Sequence, residues 1–423
     1  MSDPIVLRSE ILSLLQSGGL GNAGTSGQST LASLNSQLIS LTSRIAKLES
    51  SATYQENDAP TSNWEYLADV GVCYAAGNVI LTQDYTTTQA IKLATIDSQY
   101  LPKNTEFVGV ANVYDSAASQ GVQPQELRMG FEGNILYAYP ESYISATTNS
   151  TMFLEFSTMW FPASDLTNSS SNYTRTEYSF DSSYCVSDAS RYYAQTHSSG
   201  GVHFFCVYGK LLNTKNMSGG SAALINKSAP LSTSNWNTTV SNASRKVGRA
   251  SVREPDSNTV HQGTMYMQNS ISHIGLDSFP AITTYGCEVY CWGLAFDATP
   301  SNVSLGQYES ALTPESGIST YDNYSHSVFF RYGTFHFIEF CSLATLGTSS
   351  TWSETKLFTS SKLSTSATVN NAMYLDVSAN TNAASRYPLN ISRGSVKVSL
   401  KPNPSISNKK IHAAIIFLHD TAQ

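Results

Sequence analysis

The chain has 423 residues, of which only 13% are charged, and its formal net charge is −7. An average soluble domain carries about 25% charged residues, so Ser, Thr, Asn and the 24 Tyr must supply most of the polar surface. The acidic balance excludes a general affinity for nucleic acid or anionic membrane, and no run approaches the ~20 apolar residues of a membrane-spanning helix.

Residues 1–20 read as a short amphipathic helix. Asp3 can cap it, Pro4 suits its first turn and Gly18-Gly19 ends it. Its apolar face includes Ile5, Leu7, Ile11 and Leu15, an arrangement suited to docking in a groove on a larger body. Asp3 and Glu10 break the pattern of a secretory signal. Residues 21–30 are a Gly/Ser/Asn linker. The run Gly19-Leu-Gly21-Asn-Ala-Gly24 matches G-x-G-x-x-G but follows a helix rather than a strand, so it is not read as a dinucleotide site.

Residues 31–50 carry a heptad seam. Leu31, Leu38 and Ile45 fall at a, and Leu34, Leu41 and Leu48 at d. A stripe this regular asks for partner helices, which predicts a short parallel coiled coil.

After residue 52 the helical period stops and strand signals take over. They include Phe107–Val113, Ile135–Tyr139, Met152–Phe156, Val202–Tyr208, Thr264–Met267, Glu288–Phe296, Val328–Phe340, Val396–Leu400 and His412–Leu418. Echoes between them predict three related β units near 58–168, 172–301 and 318–423. One echo is a Tyr closing a short strand, at Tyr137, Tyr266 and Tyr374. A second is an apolar strand running toward an Asp, at Met159–Asp165, Trp292–Asp297 and Ile415–Asp420. A third pairs His203-Phe-Phe-Cys206 with His336–Cys341, and a fourth Ser232–Trp236 with Thr348–Trp352. The expected fold is therefore mainly β: an N-terminal helix and short parallel coiled coil, then tandem β-sandwich domains.

Chemistry is sparse. No nucleophile elbow, zinc-protease or Walker motif occurs. Cys287 and Cys291 would stand about 13 Å apart on a strand, too far for one metal or a disulfide. The six cysteines lie mostly in apolar runs and read as buried thiols. His203 and His336, inside apolar strands, read as core residues. No catalytic residue, metal site or cofactor is expected, and Asn-x-Ser/Thr sequons such as Asn149 and Asn390 are not read as glycans.

Two features point to binding. Arg245–Arg253 holds four basic residues in an acidic chain and reads as a loop able to meet an anionic sugar, with Arg249 and Arg253 as its contacts. Aromatic residues in polar surroundings, Trp64, Tyr192, Tyr193, Trp236, Tyr321, Tyr324 and Trp352, can stack on sugar rings. Tyr192, Tyr193, Trp236 and Trp352 are the preferred receptor contacts.

The layout of anchor, tether, coiled coil and Ser/Thr/Tyr-rich β units resembles the fibre, spike and receptor-binding proteins of bacteriophages and other viruses. The resemblance is one of layout and carries no family residue. It implies a homotrimer, made in the host cytoplasm and carried on the virion. The N-terminus would hold a capsid or tail protein, and the distal β units a host surface glycan or protein. Two alternatives stand beside it. One is a structural fibre or decoration protein without a receptor. The other is a tailspike-like depolymerase, against which the long repeat period argues.

Overall fold

The computed structural model describes residues 63–115, 125–146, 152–166, 173–180, 185–186, 188–212, 244–255, 259–268, 271–277, 286–296, 307–309, 312–319, 326–333, 335–346, 353–360, 368–378, 385–392, 395–400 and 406–418. Strand dominates, and no α-helix occurs among these residues. The anchor residues Ile5, Leu7, Ile11 and Leu15 lie outside them. So do the seam residues Leu31, Leu34, Leu38, Leu41, Ile45 and Leu48.

The strands form three antiparallel sheets. The first uses β1 (Asn63–Leu67), β2 (Val72–Ile80), β3 (Ile91–Thr95), β4 (Gly109–Asp115), β5 (Gln125–Glu132), β6 (Ile135–Tyr139) and β7 (Met152–Trp160). Its order is β1-β2-β7-β4-β5-β6-β3. A hairpin and a three-strand meander are thus joined by the last strand, which inserts between them.

The second sheet contains β8 (Thr174–Glu177), β9 (Tyr193–Ser199), β10 (Val202–Lys210), β11 (Ser244–Arg253), β12 (Val260–Gln268), β13 (Ile271–Asp277) and β14 (Glu288–Phe296). The third contains β15 (Gln307–Glu309), β16 (Thr313–Pro314), β17 (Ile318–Ser319), β18 (His326–Tyr332), β19 (Phe335–Leu346), β20 (Ser353–Thr359), β21 (Thr368–Ser378), β22 (Ser385–Ser392), β23 (Ser395–Leu400) and β24 (Ile406–Leu418). The hairpin–closing strand–meander order recurs as β9-β10-β14-β11-β12-β13 and again as β18-β19-β24-β21-β22-β23-β20. The first sheet runs from Asn63 to Trp160, the second from Thr174 to Phe296 and the third from Gln307 to Leu418, so the third starts before the expected boundary at 318.

Register makes the repeat residue-specific. The hairpins close at Leu67↔Val72, Ser199↔Val202 and Tyr332↔Phe335. Six residues beyond each closing position stand Asn78, Tyr208 and Cys341, which face Glu155, Tyr290 and His412 on the closing strands. His203 and His336 both occupy the second position of the second hairpin strand, so the histidines of that echo are equivalent, whereas Cys206 and Cys341 stand at the fifth and seventh positions. The strands leading to Asp165, Asp297 and Asp420 are likewise the three closing strands β7, β14 and β24. The Tyr echo needs correction. Tyr137, Tyr266 and Tyr374 lie on β6, β12 and β21, which are different places in the repeat. The run Val328–Phe340 is also two strands rather than one, turned at Gly333 with φ +57°.

Each sheet packs on the other two. Among the described residues the sheets pack on one another, and within the first sheet the far-edge strand β3 also comes back against β2. Phe335 is where they meet. Its ring lies 4.8 Å from Tyr74 of the first sheet and 5.9 Å from Phe204 of the second. All three rings are fully buried within one core cluster that draws on all three sheets. β11 lies against β19 and β24, and β21 against β2 and β7, whereas the first two sheets meet through β4 and β5 against β12, β4 against β11, and β7 against β14. The six cysteines are all buried thiols outside any disulfide.

Candidate functional site at the seam of the first two sheets

Charged side chains concentrate where the first sheet meets the second. β11 ends at Arg253 and β14 begins at Glu288, and the two are cross-strand partners. Pairing opposite charges across an antiparallel ladder is favourable, and Arg253 Nη1 stands 3.5 Å from Glu288 Oε2. Arg191 arrives from a tight turn, in which Asp188 accepts from the Ser190 N–H at 3.0 Å and the Ser190 hydroxyl at 2.6 Å. That turn aims Arg191 Nη2 at Glu288 Oε1, 2.8 Å away, and at Glu106 Oε2, 2.7 Å away. Glu106 belongs to the first sheet's approach to β4, and it also lies 3.8 Å from Arg253. Its own backbone is fixed: its N–H donates to Asn104 Oδ1 at 2.7 Å, and its carbonyl accepts from Arg128.

The result is two guanidinium groups on two carboxylates, with Arg128 alongside on the Glu106 backbone carbonyl. Arg128 lies 3.8 Å over the Tyr139 ring, and the Tyr139 hydroxyl donates to Glu132 at 2.9 Å. Burial, followed by the charge of Arg253, pulls the Arg128 guanidinium below its usual value. Burial and then Glu288 push the Tyr208 phenol, beneath the cluster, well above its usual value, so it stays neutral. The two carboxylates differ in access: the side chain of Glu288 is 8% exposed and that of Glu106 is 54% exposed. Planar guanidinium forks of this kind hold carboxylate or phosphate oxygens. Among the described residues no group of His, Cys, Asp and Glu is placed to hold a metal.

Of the residues expected to bind a receptor, two come together here. Arg253 is a member of the cluster, and Tyr192 adjoins it, with the Arg191 guanidinium 5.6 Å from its ring. Tyr192 is buried, however, and packs 5.3 Å from Tyr208. Tyr193 is equally buried, on β9, and Trp64 is buried on β1. These rings are core, not surface: strand pairing turns them inward, where an aromatic side chain gains most from leaving water. Arg249 also departs from expectation. Arg245–Arg253 is strand β11 rather than a loop, and Arg249 is buried with Nε donating to the Ala414 carbonyl of the third sheet at 3.1 Å. Trp236, Trp352, Tyr321 and Tyr324 lie outside the described residues.

The sequence reading missed Arg191, Glu106, Glu288 and Arg128. A faint signal existed, since Glu106 and Glu288 each open an apolar run. Only the fold brings them within reach of arginines far along the chain.

Comparison with protein-family models, with curated proteins and with solved structures gave no match.

Proposed function

We propose that the chain is a virion fibre or spike protein that attaches to a host surface molecule, an anionic glycan, without cutting it. The observation that carries this reading is the partly exposed pair Arg191 and Arg253 at the seam of two sheets, in a chain otherwise poor in charge. Support also comes from the layout, in which a heptad seam at 31–50 precedes a large β region. In this reading the 31–50 helices join three copies in a parallel coiled coil. Residues 1–20, through Ile5, Leu7, Ile11 and Leu15, hold a capsid or tail protein. Presenting several equal weak sites together raises avidity by about 10²–10⁴ without new contacts.

The test is a glycan array probed with the full-length protein and with Arg191→Ala/Arg253→Ala. Binding to acidic glycans that the double variant loses supports the reading. Absence of binding to any glycan or host surface moves the function to a structural fibre. Release of shortened polysaccharide would make the protein a depolymerase.

A further inference from the structure

We propose that Arg191 and Arg253 form a clamp for the carboxylate of an acidic sugar, and that Glu106 fills this clamp from within when no ligand is bound. The inference rests on the attachment reading and deepens it. Both arginines touch both carboxylates, yet the two acids are held differently. Glu288 sits in the middle of a ladder, with Lys210 as its cross-strand partner on one side and Arg253 on the other, and its side chain is nearly closed to water. Glu106 lies in a loop, reaches the arginines from one side only, and leaves more than half of its side chain in water. Exposed ion pairs contribute little to stability, so Glu106 can turn outward at small cost while Glu288 keeps both arginines in place.

Charge favours the exchange. With Glu106 in place, Arg191 and Arg253 are matched by the carboxylates of Glu106 and Glu288. With Glu106 turned out, the two guanidinium groups keep Glu288 as their ion-pair partner, and the place of the second carboxylate is open to an anion. Arg191 already offers its edge at the position where Glu106 Oε2 sits, 2.7 Å away. The tight turn at Asp188–Arg191 and the end of β11 fix the two guanidinium groups before any ligand arrives. Such preorganisation lowers the cost of binding. The nearby rings do not supply the recognition: Tyr192 is buried and the Tyr139 face is covered by Arg128. The ligand class is therefore set by the carboxylate rather than by sugar stacking, which points to a uronate-type polymer.

The experiment measures binding of polygalacturonate oligomers, their carboxyl-reduced neutral counterparts and a sulfated neutral polymer to the full-length protein. Glu106→Ala should bind polygalacturonate about two- to fivefold more tightly than the parent, the worth of an exposed ion pair. Arg191→Lys, which keeps the charge but loses the fork, should bind about tenfold more weakly, with thermal unfolding as the control for its fold. Carboxyl-reduced oligomers should not bind. Unchanged or weaker binding by Glu106→Ala overturns the stand-in role. Equal binding of the reduced oligomers, or preference for sulfate, overturns the carboxylate assignment. If polygalacturonate fails while another glycan or a host surface is bound, the inference falls and the attachment reading stands.

Discussion

Glu155 of the first sheet and His412 of the third occupy the same position in a repeated strand order. Each lies on its closing strand, opposite the sixth residue past the hairpin turn, and each is buried. They solve the burial of a polar group differently. Glu155 accepts from the Tyr114 hydroxyl at 2.6 Å, and His412 Nε2 meets Glu339 at 3.2 Å. Tyr290, their counterpart in the second sheet, donates to the Met159 carbonyl of the first sheet at 2.6 Å. The backbone plan is repeated while the side chains have diverged to fit unlike neighbours.

Removing one member of such a pair should be costly. Glu155→Ala removes a buried carboxylate from the half-buried Tyr114 hydroxyl and leaves a cavity, and a loss of about 2–4 kcal/mol is expected. Tyr114→Phe, which removes only the donor, should cost less. Denaturant unfolding of the two variants gives the comparison.

Phe335 predicts cooperativity. Its ring touches Tyr74, Phe204 and Phe330, so Phe335→Ala loosens all three sheets at once. A cost of about 3–5 kcal/mol is expected. Calorimetry should show one shifted transition. Loss of a single component out of several would mean that the sheets unfold separately.

The outline of this fold was legible in the sequence, and its assembly was not. The named runs marked ten of the twenty-four described strands, and His203 and His336 marked equivalent positions because both follow a hairpin turn. The Tyr echo misled because Tyr suits any strand of a Ser/Thr-rich sheet. Tyr192, Tyr193 and Arg249 read as surface residues because their sequence neighbours are polar. What buries them is another strand or sheet brought close by the fold, as Ala414 is to Arg249. The Arg191–Glu106–Glu288–Arg253 cluster was hidden for the same reason.

Glycines fix two close approaches. A Cβ on Gly248 would stand 2.1 Å from the Trp292 carbonyl oxygen of β14, next to a bulge in the pairing of β11 with β12. Gly248→Ala must push the strands apart, at a cost of about 1–3 kcal/mol or more. A Cβ on Gly130 would stand 2.6 Å from the Glu106 carbonyl oxygen and 2.9 Å from Arg128 Nη1. Gly130→Ala should therefore displace the Glu106 loop and alter anion binding. Unfolding midpoints and the oligomer titration read the two effects.

His197 should make the seam of the first two sheets sensitive to acid. Its ring is stacked between Phe161 at 3.9 Å and Tyr173 at 4.6 Å, and Nδ1 donates to the Val70 carbonyl at 2.8 Å. Burial lowers its pKa to about 4; the Val70 bond and Asp165 oppose the shift, and Arg175 adds to it. An unfolded histidine protonates near 6.5, so between about 6.5 and 4 the unfolded chain binds the extra proton. Stability from this group is complete above pH 6.5 and falls as pH drops toward 4, by roughly 3 kcal/mol in all. His197→Phe should abolish that part of the pH slope, as measured by denaturant unfolding from pH 4 to 7.

The proposal at the centre is that copies join through residues 31–50 as a coiled coil, while the three sheets of each chain pack on one another. Light scattering and thermal unfolding of Leu34→Asp/Leu41→Asp beside the parent, over a wide concentration range, test it most directly. The parent should have the mass of three chains and the variant the mass of one. The variant's β-sheet signal should be unchanged, and its unfolding midpoint should not depend on concentration. A variant that stays trimeric, or loses its sheets when it becomes monomeric, would contradict the claim.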